Sequence, residues 1–288
     1  MATIVVNSCT LHFQEMGSGL PIVFTPGGRG AMNIMRPVAE AMAPDYRSFI
    51  YDRRNCGASD ITISGEESEQ EIWADDLAQF IKQLDIGPAY LGGWSAGCRV
   101  SLLTAIRHPE LVRGLLLGWV TGGAVAAERL AYQYYGQFIE AAQTGGMAAV
   151  VTTPYFTERI TENSANRERL LSMDVQEFIR VMSRWSMFFT EGADLPVIGA
   201  TEEELASIQV PTVIIAGDDD IHTLPAAQAL HRILPNAQFH SPVIQRDEWD
   251  RLWEGPPEAL AQARAERAAP IFKEFLQQLT MGQRVAES

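Results

Sequence analysis

Short apolar runs alternate with helix-length amphipathic segments over the first 120 residues of the chain. Each run is bounded by glycine, proline or a charged helix, which is typical of strands buried in a parallel sheet. Between two of the runs, Ile72, Leu77 and Ile81 recur at the spacing of one helical face. Repeated strand–helix–strand units predict an α/β fold, with a mostly parallel central sheet flanked by helices. The predicted strands span residues 21–26, 46–52, 88–94 and 112–120.

The alternation stops near residue 120 and resumes only near residue 206. The intervening stretch carries several helix-like segments and no convincing strand. Since a structureless connection of that length would be unusual, we predict an inserted helical lid, or cap, over residues 121–205. Residues 1–120 and 206–288 then form the core domain. Its later predicted elements are a strand, a helix, a strand and a closing helix, at residues 211–217, 226–234, 238–243 and 257–279.

Composition and charge narrow the range of partners. Hydrophobic residues make up 47% of the chain and charged residues 20%, as in ordinary globular proteins. The formal net charge is −14, and a surface that acidic repels phosphate backbones and anionic lipid. We therefore expect no nucleic-acid and no membrane partner, whereas a neutral small molecule is compatible with this charge. A homo-oligomer stays open.

The cysteines and the N-terminus bear on the compartment. Cys9, Cys56 and Cys98 are odd in number and far apart, which disfavours a disulfide framework or a structural metal site and fits a reducing compartment. The first residues contain no basic segment followed by an apolar stretch, and no run is long enough to span a bilayer. We expect a cytoplasmic protein that holds no metal and no cofactor.

A glycine-rich motif supplies the candidate nucleophile. Residues 93–97 read Gly-Trp-Ser-Ala-Gly, and they follow a predicted strand and precede a helix-like segment. This is the context of a nucleophile elbow, a sharp strand-to-helix turn that holds a serine in strained backbone geometry. Gly93 and Gly97 leave room for the turn, and the helix N-terminus stabilises negative charge that develops beside Ser95. An incidental serine in a glycine-rich turn is the alternative interpretation.

Three further segments stand in a recognisable order around this motif. Residues 25–30 read Thr-Pro-Gly-Gly-Arg-Gly, residues 52–59 read Asp-Arg-Arg-Asn-Cys-Gly-Ala-Ser, and residues 217–220 read Gly-Asp-Asp-Asp. They resemble the oxyanion loop, the Asp-Arg-Arg-Gly-x-Gly-x-Ser turn and the acid-bearing strand end of α/β hydrolases. The chain is similar to that superfamily over nearly its full length, although Pro26 replaces the histidine usual in the oxyanion loop.

The resemblance implies roles for four residues. Under it, Ser95 is the nucleophile, and the amides of Gly28 and Ala96 form an oxyanion hole for the tetrahedral intermediate. Asp220 is the acid that orients the general base and stabilises its cation. A glycine turn without catalytic duty is the alternative for Gly28, and a solvated acidic loop is the alternative for Asp220.

The general base departs from the superfamily pattern. Its usual position is the loop after the last strand, but residues 244–249 contain no histidine. His222 is the best placed of five histidines, because it follows the acidic run at the edge of the sheet where such folds bind ligands. A neutral imidazole is well suited to accept the serine proton. We predict His222 as a relocated base; His240, or no histidine, stays open. The others read as structural or surface residues: His12, His108 and His231.

The predicted lid is rich in large apolar side chains, and part of this surface lines the substrate pocket if the lid covers the strand ends. We expect an apolar or aromatic substrate that contacts Trp94, Tyr135, Trp185 and Phe189. The predicted function is a serine hydrolase that cleaves a small carboxylic ester or lactone through an acyl-enzyme. Amide, thioester and carbon–carbon cleavage stay open. The alternative is a base-deficient protein that acts as a cofactor-free lyase or binds a small ligand.

Overall fold

An eight-stranded sheet forms the centre of the computed structural model, which describes the backbone of residues 1–286 and the side chains of residues 1–281. The strands are β1 (Ala2–Val6), β2 (Cys9–Met16), β3 (Pro21–Thr25), β4 (Arg47–Tyr51), β5 (Ala89–Trp94), β6 (Val112–Gly118), β7 (Thr212–Ile215) and β8 (Ala237–His240). They lie in the order β1-β2-β4-β3-β5-β6-β7-β8. β2 pairs antiparallel with β1 and with β4, and the remaining pairs are parallel. The predicted mostly parallel sheet is confirmed.

Helices cover both faces of the sheet. In chain order the α-helices are α1 (Arg36–Met42), α2 (Glu69–Gln83), α3 (Ala96–Arg107), α4 (Ala124–Ala131), α5 (Gln137–Val150), α6 (Pro154–Glu162), α7 (Ala165–Leu171), α8 (Val175–Glu191), α9 (Glu202–Ala206), α10 (Leu224–Ile233), α11 (Arg246–Glu254) and α12 (Pro257–Ala286). One apolar core joins the sheet to α2, α3 and α10. A second core joins the opposite face to α1 and α12. The carboxyl ends of β3, β5 and β7, from which the next loops start, are therefore packed between helices on both faces of the sheet.

The helix α2 shows how the local sequence sets an element. Ser68 caps it: the Ser68 hydroxyl accepts from the Glu71 N–H, and the Glu71 carboxylate accepts from the Ser68 N–H. Trp73, Leu77 and Ile81 then recur on one face and are fully buried against the sheet. The predicted amphipathic crossover helix is present, and it carries Glu69 into the protein interior at its first turn.

Between β6 and β7 the chain forms helices α4 to α9 and no strand of the sheet. A π-helical turn, Tyr132–Gly136, joins α4 to α5. Helices α4 to α8 share a third apolar core, which also includes Ile61 and Ile63 from the segment before α2. The junction with the rest of the protein is polar and buried: Arg29 Nη2 lies 2.6 Å from Glu69 Oε1, and the Tyr135 hydroxyl donates to Glu69 Oε2 at 3.0 Å. The insertion is thus fastened to the sheet domain, and the domain boundaries at residues 121 and 205 stay a prediction.

The last elements differ from the predicted ones at their ends. β8 stops at His240, so that residues 241–243 lie outside the strand. The closing helix α12 begins at Pro257 as predicted and runs further, to Ala286. Between β8 and α12 an additional helix, α11, occupies the segment in which related folds carry their catalytic histidine. Within residues 1–286 we find no helix with both the length and the apolar character needed to cross a bilayer.

Candidate active site

Ser95 lies at the turn between β5 and α3 in a backbone conformation that residues other than glycine rarely adopt. Its φ is +55° and its ψ is −114°. A Cβ atom on Gly93 would lie 2.3 Å from the carbonyl carbon of Gly97, and one on Gly97 would lie 2.1 Å from the carbonyl oxygen of Thr25. Both positions therefore require glycine. The Ser95 N–H donates to the Gly118 carbonyl at 3.1 Å, which fixes the turn to the neighbouring strand.

A continuous hydrogen-bonded chain runs from this serine to a carboxylate. His222 Nε2 lies 2.8 Å from Ser95 Oγ, and His222 Nδ1 lies 2.7 Å from Asp219 Oδ2. All three residues are buried: Ser95 is 8% exposed, His222 is 5% exposed and Asp219 is 9% exposed. Asp219 and His222 belong to the same loop, which follows β7. The structure thus brings Ser95 and the predicted base His222 together, and both were named from the sequence.

The predicted acid, Asp220, is wrong by one residue. Asp219 Oδ1 accepts from the backbone N–H groups of Ile221 and His222 at 2.9 and 3.1 Å, which turns its other oxygen toward the imidazole. Asp220 points to solvent instead and forms an ion pair with Arg246 at 2.8 Å. The tight turn after Asp219 decides which carboxylate of the acidic run faces inward. Nothing in the letters Asp-Asp-Asp distinguishes them.

The protonation states follow from burial and from this chain of contacts. Burial lowers the pKa of His222 below its ordinary value, and the positive charge of Arg264 lowers it further, while the hydrogen bond with Asp219 opposes both. Burial alone would raise the pKa of Asp219, but its hydrogen bonds with His222 and the backbone outweigh it and keep that pKa below the usual range. At neutral pH the imidazole is therefore neutral and the carboxylate is ionised. Nδ1 then donates to Asp219, and Nε2 accepts from the serine hydroxyl.

An aromatic residue, Trp249, lies in the segment where the resemblance to α/β hydrolases places the base. Trp249, on α11, has its ring centroid 5.4 Å from that of His222 and is 4% exposed. His240 ends β8, and its carbonyl accepts from the Ala216 N–H at 3.0 Å. The other histidines have partners or positions elsewhere: His12 on β2, His108 bonded to Asp75, and His231 packed on Phe239. Of the five, His222 is the histidine within hydrogen-bonding distance of Ser95.

Gly28 and Ala96 carry the two backbone amides that the sequence analysis predicts as oxyanion-hole donors. The Gly27 carbonyl accepts from the Gly30 N–H at 3.0 Å. Because the N–H and C=O of a trans peptide point in opposite directions, this turn aims the Gly28 N–H away from Gly30. Gly28 has a φ of +51°, and its carbonyl accepts from Arg53 Nη2 at 2.7 Å.

The second amide belongs to Ala96, the first residue of α3, where N–H groups lack intrahelical acceptors. Neither the Ala96 nor the Gly28 N–H donates to an acceptor in the part of the chain that the structure describes. Gly28 and Ser95 line the same cavity. The geometry agrees with the sequence-based expectation for an oxyanion hole, and that role stays a prediction.

A cavity of about 350 Å³ opens at Ser95 and His222. The insertion contributes one wall and α11 and α12 contribute another; the apolar and aromatic members are Leu130, Tyr134, Leu252, Trp253, Leu260 and Ala261. Two arginines, Arg129 and Arg264, also line the cavity. Among the described residues no group of three or more histidine, cysteine, aspartate or glutamate side chains is arranged to hold a metal ion.

The four aromatic residues predicted to contact the substrate lie elsewhere, and that prediction is wrong. Within the described residues, none of them lines the cavity at Ser95. Trp94 lies in the core between the sheet and α12, where it stacks on Phe272 at 5.7 Å. Tyr135 hydrogen-bonds Glu69, and Trp185 Nε1 donates to the Glu67 carbonyl at 3.0 Å. Phe189 packs inside the insertion. Their helical spacing correctly indicates buried faces, but those faces meet other parts of the protein.

Comparisons with known proteins agree with this architecture. A sequence model described as the alpha/beta hydrolase fold matches residues 21–118. The uncharacterized hydrolase YraK of Bacillus subtilis strain 168 is 32% identical over 114 residues, which are 40% of this chain and 42% of that protein. The enol-lactonase from Burkholderia xenovorans LB400 superposes with a TM-score of 0.64 at 18% identity, covering 96% of this chain and 100% of the other. A thermophilic esterase from Thermogutta terrifontis superposes with a TM-score of 0.64 at 20% identity, covering 96% and 98%. The chain has the α/β-hydrolase fold.

Proposed function

We propose that this protein is a serine hydrolase that cleaves a small carboxylic ester or lactone through an acyl-enzyme. The observation that carries the proposal is the unbroken contact chain from Ser95 Oγ through His222 to Asp219, with distances of 2.8 and 2.7 Å. An imidazole held in this way accepts the serine proton as the hydroxyl oxygen attacks a carbonyl carbon. Asp219 then stabilises the imidazolium that forms.

The remaining steps use the same groups. The tetrahedral oxyanion accepts hydrogen bonds from the Gly28 and Ala96 amides, whose fixed positions need no reorganisation as the charge develops. As the intermediate collapses, the imidazolium returns its proton to the leaving oxygen and the acyl group stays on Ser95. A water molecule, deprotonated by His222, then attacks the acyl carbon and releases the acid.

The size and lining of the cavity support a small substrate. Its volume of about 350 Å³ is near the lower end of ligand sites, which span roughly 300–1,000 Å³. Leu130 and Tyr134 from the insertion face Leu260 and Ala261 from α12 across it. These walls suit a short apolar acyl or alcohol group. The solved neighbours named as an enol-lactonase and an esterase fit an ester or lactone bond.

Covalent labelling tests the nucleophile directly. We expect a fluorophosphonate probe to form one adduct per chain on Ser95, located by peptide mass spectrometry, because the probe reacts with a serine activated by a neutral imidazole. A p-nitrophenyl ester should also give a burst of p-nitrophenol equal to the enzyme concentration. The control is Ser95→Ala, which should show neither signal. An unlabelled wild-type Ser95 would refute the proposal and favour a binding or lyase function.

The pH profile of the reaction tests the state of His222. The imidazole acts as a base only when it is neutral, so that kcat/KM falls as the pH drops through its pKa. Because burial lowers this pKa, we expect the acid limb to lie below about pH 6.5, the ordinary value for histidine. The measurement is kcat/KM for a neutral p-nitrophenyl ester between pH 4 and 9. A limb centred above pH 7 would contradict the buried, neutral imidazole.

A further inference from the structure

The wall of the cavity contains a buried arginine that has no acidic partner. Arg264 lies on α12 and is 7% exposed. Pro257, Leu260, Ala261 and Arg264 share one helical face, and all four line the cavity at Ser95. Arg264 therefore lines the same cavity as the candidate nucleophile.

Three other buried arginines form ion pairs: Arg29, Arg54 and Arg159. Arg29 contacts Glu69 at 2.6 Å, and Arg54 contacts Asp76 at 2.8 Å. The buried Arg53 and Arg99 donate to neutral oxygen atoms instead. Arg264, by contrast, forms no ion pair and donates no hydrogen bond within the residues whose side chains are described, and its buried Nε lacks an acceptor. A buried charge without a partner is costly to a folded protein. Burial lowers the pKa of Arg264 to about 10, so that it is still a cation at neutral pH.

Two indole rings hold the guanidinium in place. Its central carbon lies 5.0 Å from the centroid of the Trp119 ring and 4.7 Å from that of Trp249. Such contacts stabilise a cation through the faces of the rings. They accept none of the N–H bonds in the guanidinium plane, where a carboxylate binds with two parallel hydrogen bonds. The side chain is thus fixed in position while its donors stay available.

The charge of the cavity runs against that of the whole chain. The sequence has 36 acidic and 22 basic residues. Among the residues whose side chains are described, the cavity lining nevertheless includes Arg129 and Arg264 and not one aspartate or glutamate. Arg129 is exposed and also borders the smaller neighbouring cavity at Asp219 and Asp220. An anion that enters the cavity therefore contacts the positive charge of the exposed Arg129 and that of the buried Arg264.

We propose that Arg264 binds a carboxylate carried by the substrate, so that this protein acts on small esters or lactones bearing a second, ionised carboxyl group. This inference rests on the proposed function for the bond that is cleaved. It revises the sequence-based expectation of an uncharged substrate. The apolar walls then contact the short carbon chain that separates the carboxylate from the scissile carbonyl.

A matched pair of esters tests the proposal. Mono-p-nitrophenyl glutarate carries a carboxylate, and p-nitrophenyl 5-methylhexanoate carries an isopropyl group of the same shape in its place. The measured quantity is the ratio of kcat/KM for the anionic ester to kcat/KM for the neutral one. We expect wild type to favour the anionic ester at least about tenfold, and Arg264→Gln to lower the ratio by about 10- to 100-fold, the usual effect of removing a charged hydrogen bond. Arg264→Lys should give an intermediate ratio.

Arg267→Gln is the matched control. Arg267 lies on the same helix, is half exposed and pairs with Glu248 at 3.2 Å, so this change alters the net charge equally without touching the cavity. Its ratio should equal that of wild type. A wild-type preference for the neutral ester, or an anionic preference that survives Arg264→Gln, would overturn the proposal. The wild-type ratio and Arg264→Lys decide the matter if Arg264→Gln does not fold.

Binding without turnover separates this inference from the proposed function. Monomethyl glutarate is titrated calorimetrically into Ser95→Ala and into Ser95→Ala/Arg264→Gln. We expect binding by the first protein and at least about tenfold weaker binding by the second. If Ser95 proves unreactive but this difference is found, the hydrolase function fails and the carboxylate site stands. If the esters are hydrolysed and the two titrations agree, the function stands and the carboxylate site is refuted.

Discussion

His222→Ala is expected to lower kcat for an ester substrate by about 10⁶-fold, the size of effect seen when the histidine of a serine triad is removed. His222 Nε2 is 2.8 Å from Ser95 Oγ, and without it no group accepts the serine proton or protonates the leaving oxygen. The measurement is steady-state turnover of a p-nitrophenyl ester, with circular dichroism to show that the variant is folded. We expect fluorophosphonate labelling of Ser95 to slow in parallel.

The control for this variant is His240→Ala. His240 is the last residue of β8 and directly precedes the loop in which the resemblance places the base. Its backbone carbonyl accepts a hydrogen bond from the Ala216 N–H. Its removal should change kcat/KM less than about twofold, as a surface substitution outside the site does. If His240→Ala abolishes activity and His222→Ala retains it within twofold, the base has been assigned to the wrong histidine.

Asp219→Asn is expected to reduce kcat by about 10⁴-fold, because an amide cannot hold the imidazole in the tautomer whose Nε2 accepts a proton. Asp219 Oδ2 lies 2.7 Å from His222 Nδ1. The change is nearly isosteric, so the loop should keep its shape. The diagnostic measurement is turnover together with the pH profile, since loss of the negative charge moves the acid limb to lower pH still.

The neighbouring residue supplies the control. Asp220→Asn removes the same charge one position later, but Asp220 is exposed and contacts Arg246 rather than His222. It should leave kcat/KM within about twofold of wild type. Equal losses in the two variants, or a greater loss in Asp220→Asn, would mean that the acid is the one first expected from the sequence.

Much of the architecture was predictable because it depends on patterns that are local and repeated. The alternation of apolar runs with amphipathic segments gave the parallel sheet. The glycines beside Ser95 gave the elbow, because steric exclusion there tolerates no side chain: a Cβ on Gly97 would lie 2.1 Å from the Thr25 carbonyl oxygen. His222 was found by elimination and by its place in the loop after β7. The structure brings it within 2.8 Å of Ser95 Oγ, and its role as a relocated base stays a prediction.

The errors have a common physical cause. Which of three consecutive aspartates faces inward depends on backbone hydrogen bonds within one turn, from Ile221 and His222 to Asp219. Which buried face of a helix meets the cavity depends on how the insertion docks, as the pair Tyr134 and Tyr135 shows. Tyr134 lines the cavity, whereas Tyr135 turns to Glu69. Sequence periodicity predicts that such residues are buried, but it does not predict which part of the protein they contact.

Arg264 was missed for the same reason. A lone arginine on the long closing helix reads as a surface residue, and its spacing from Leu260 and Ala261 becomes meaningful only when that helix is known to form a cavity wall. The tryptophans that hold it come from two distant segments, after β6 and on α11. Only the folded chain brings these three side chains together.

The loop after β7 also bears on how such proteins can be engineered. The α/β-hydrolase pattern that the sequence resembles implies an acid after one strand and a base after the last strand, so that their alignment would depend on the packing of two strand ends. Here the spacing between Asp219 and His222 is set within a single turn of four residues. A graft of residues 217–223 onto another sheet of this type would therefore transplant a complete proton-handling pair in one piece. In this protein the segment from residue 241 to 256 instead supplies Leu252 and Trp253 to the cavity wall and Trp249 to the contacts with His222 and Arg264, so that Leu252 and Trp253 are the positions to vary for specificity.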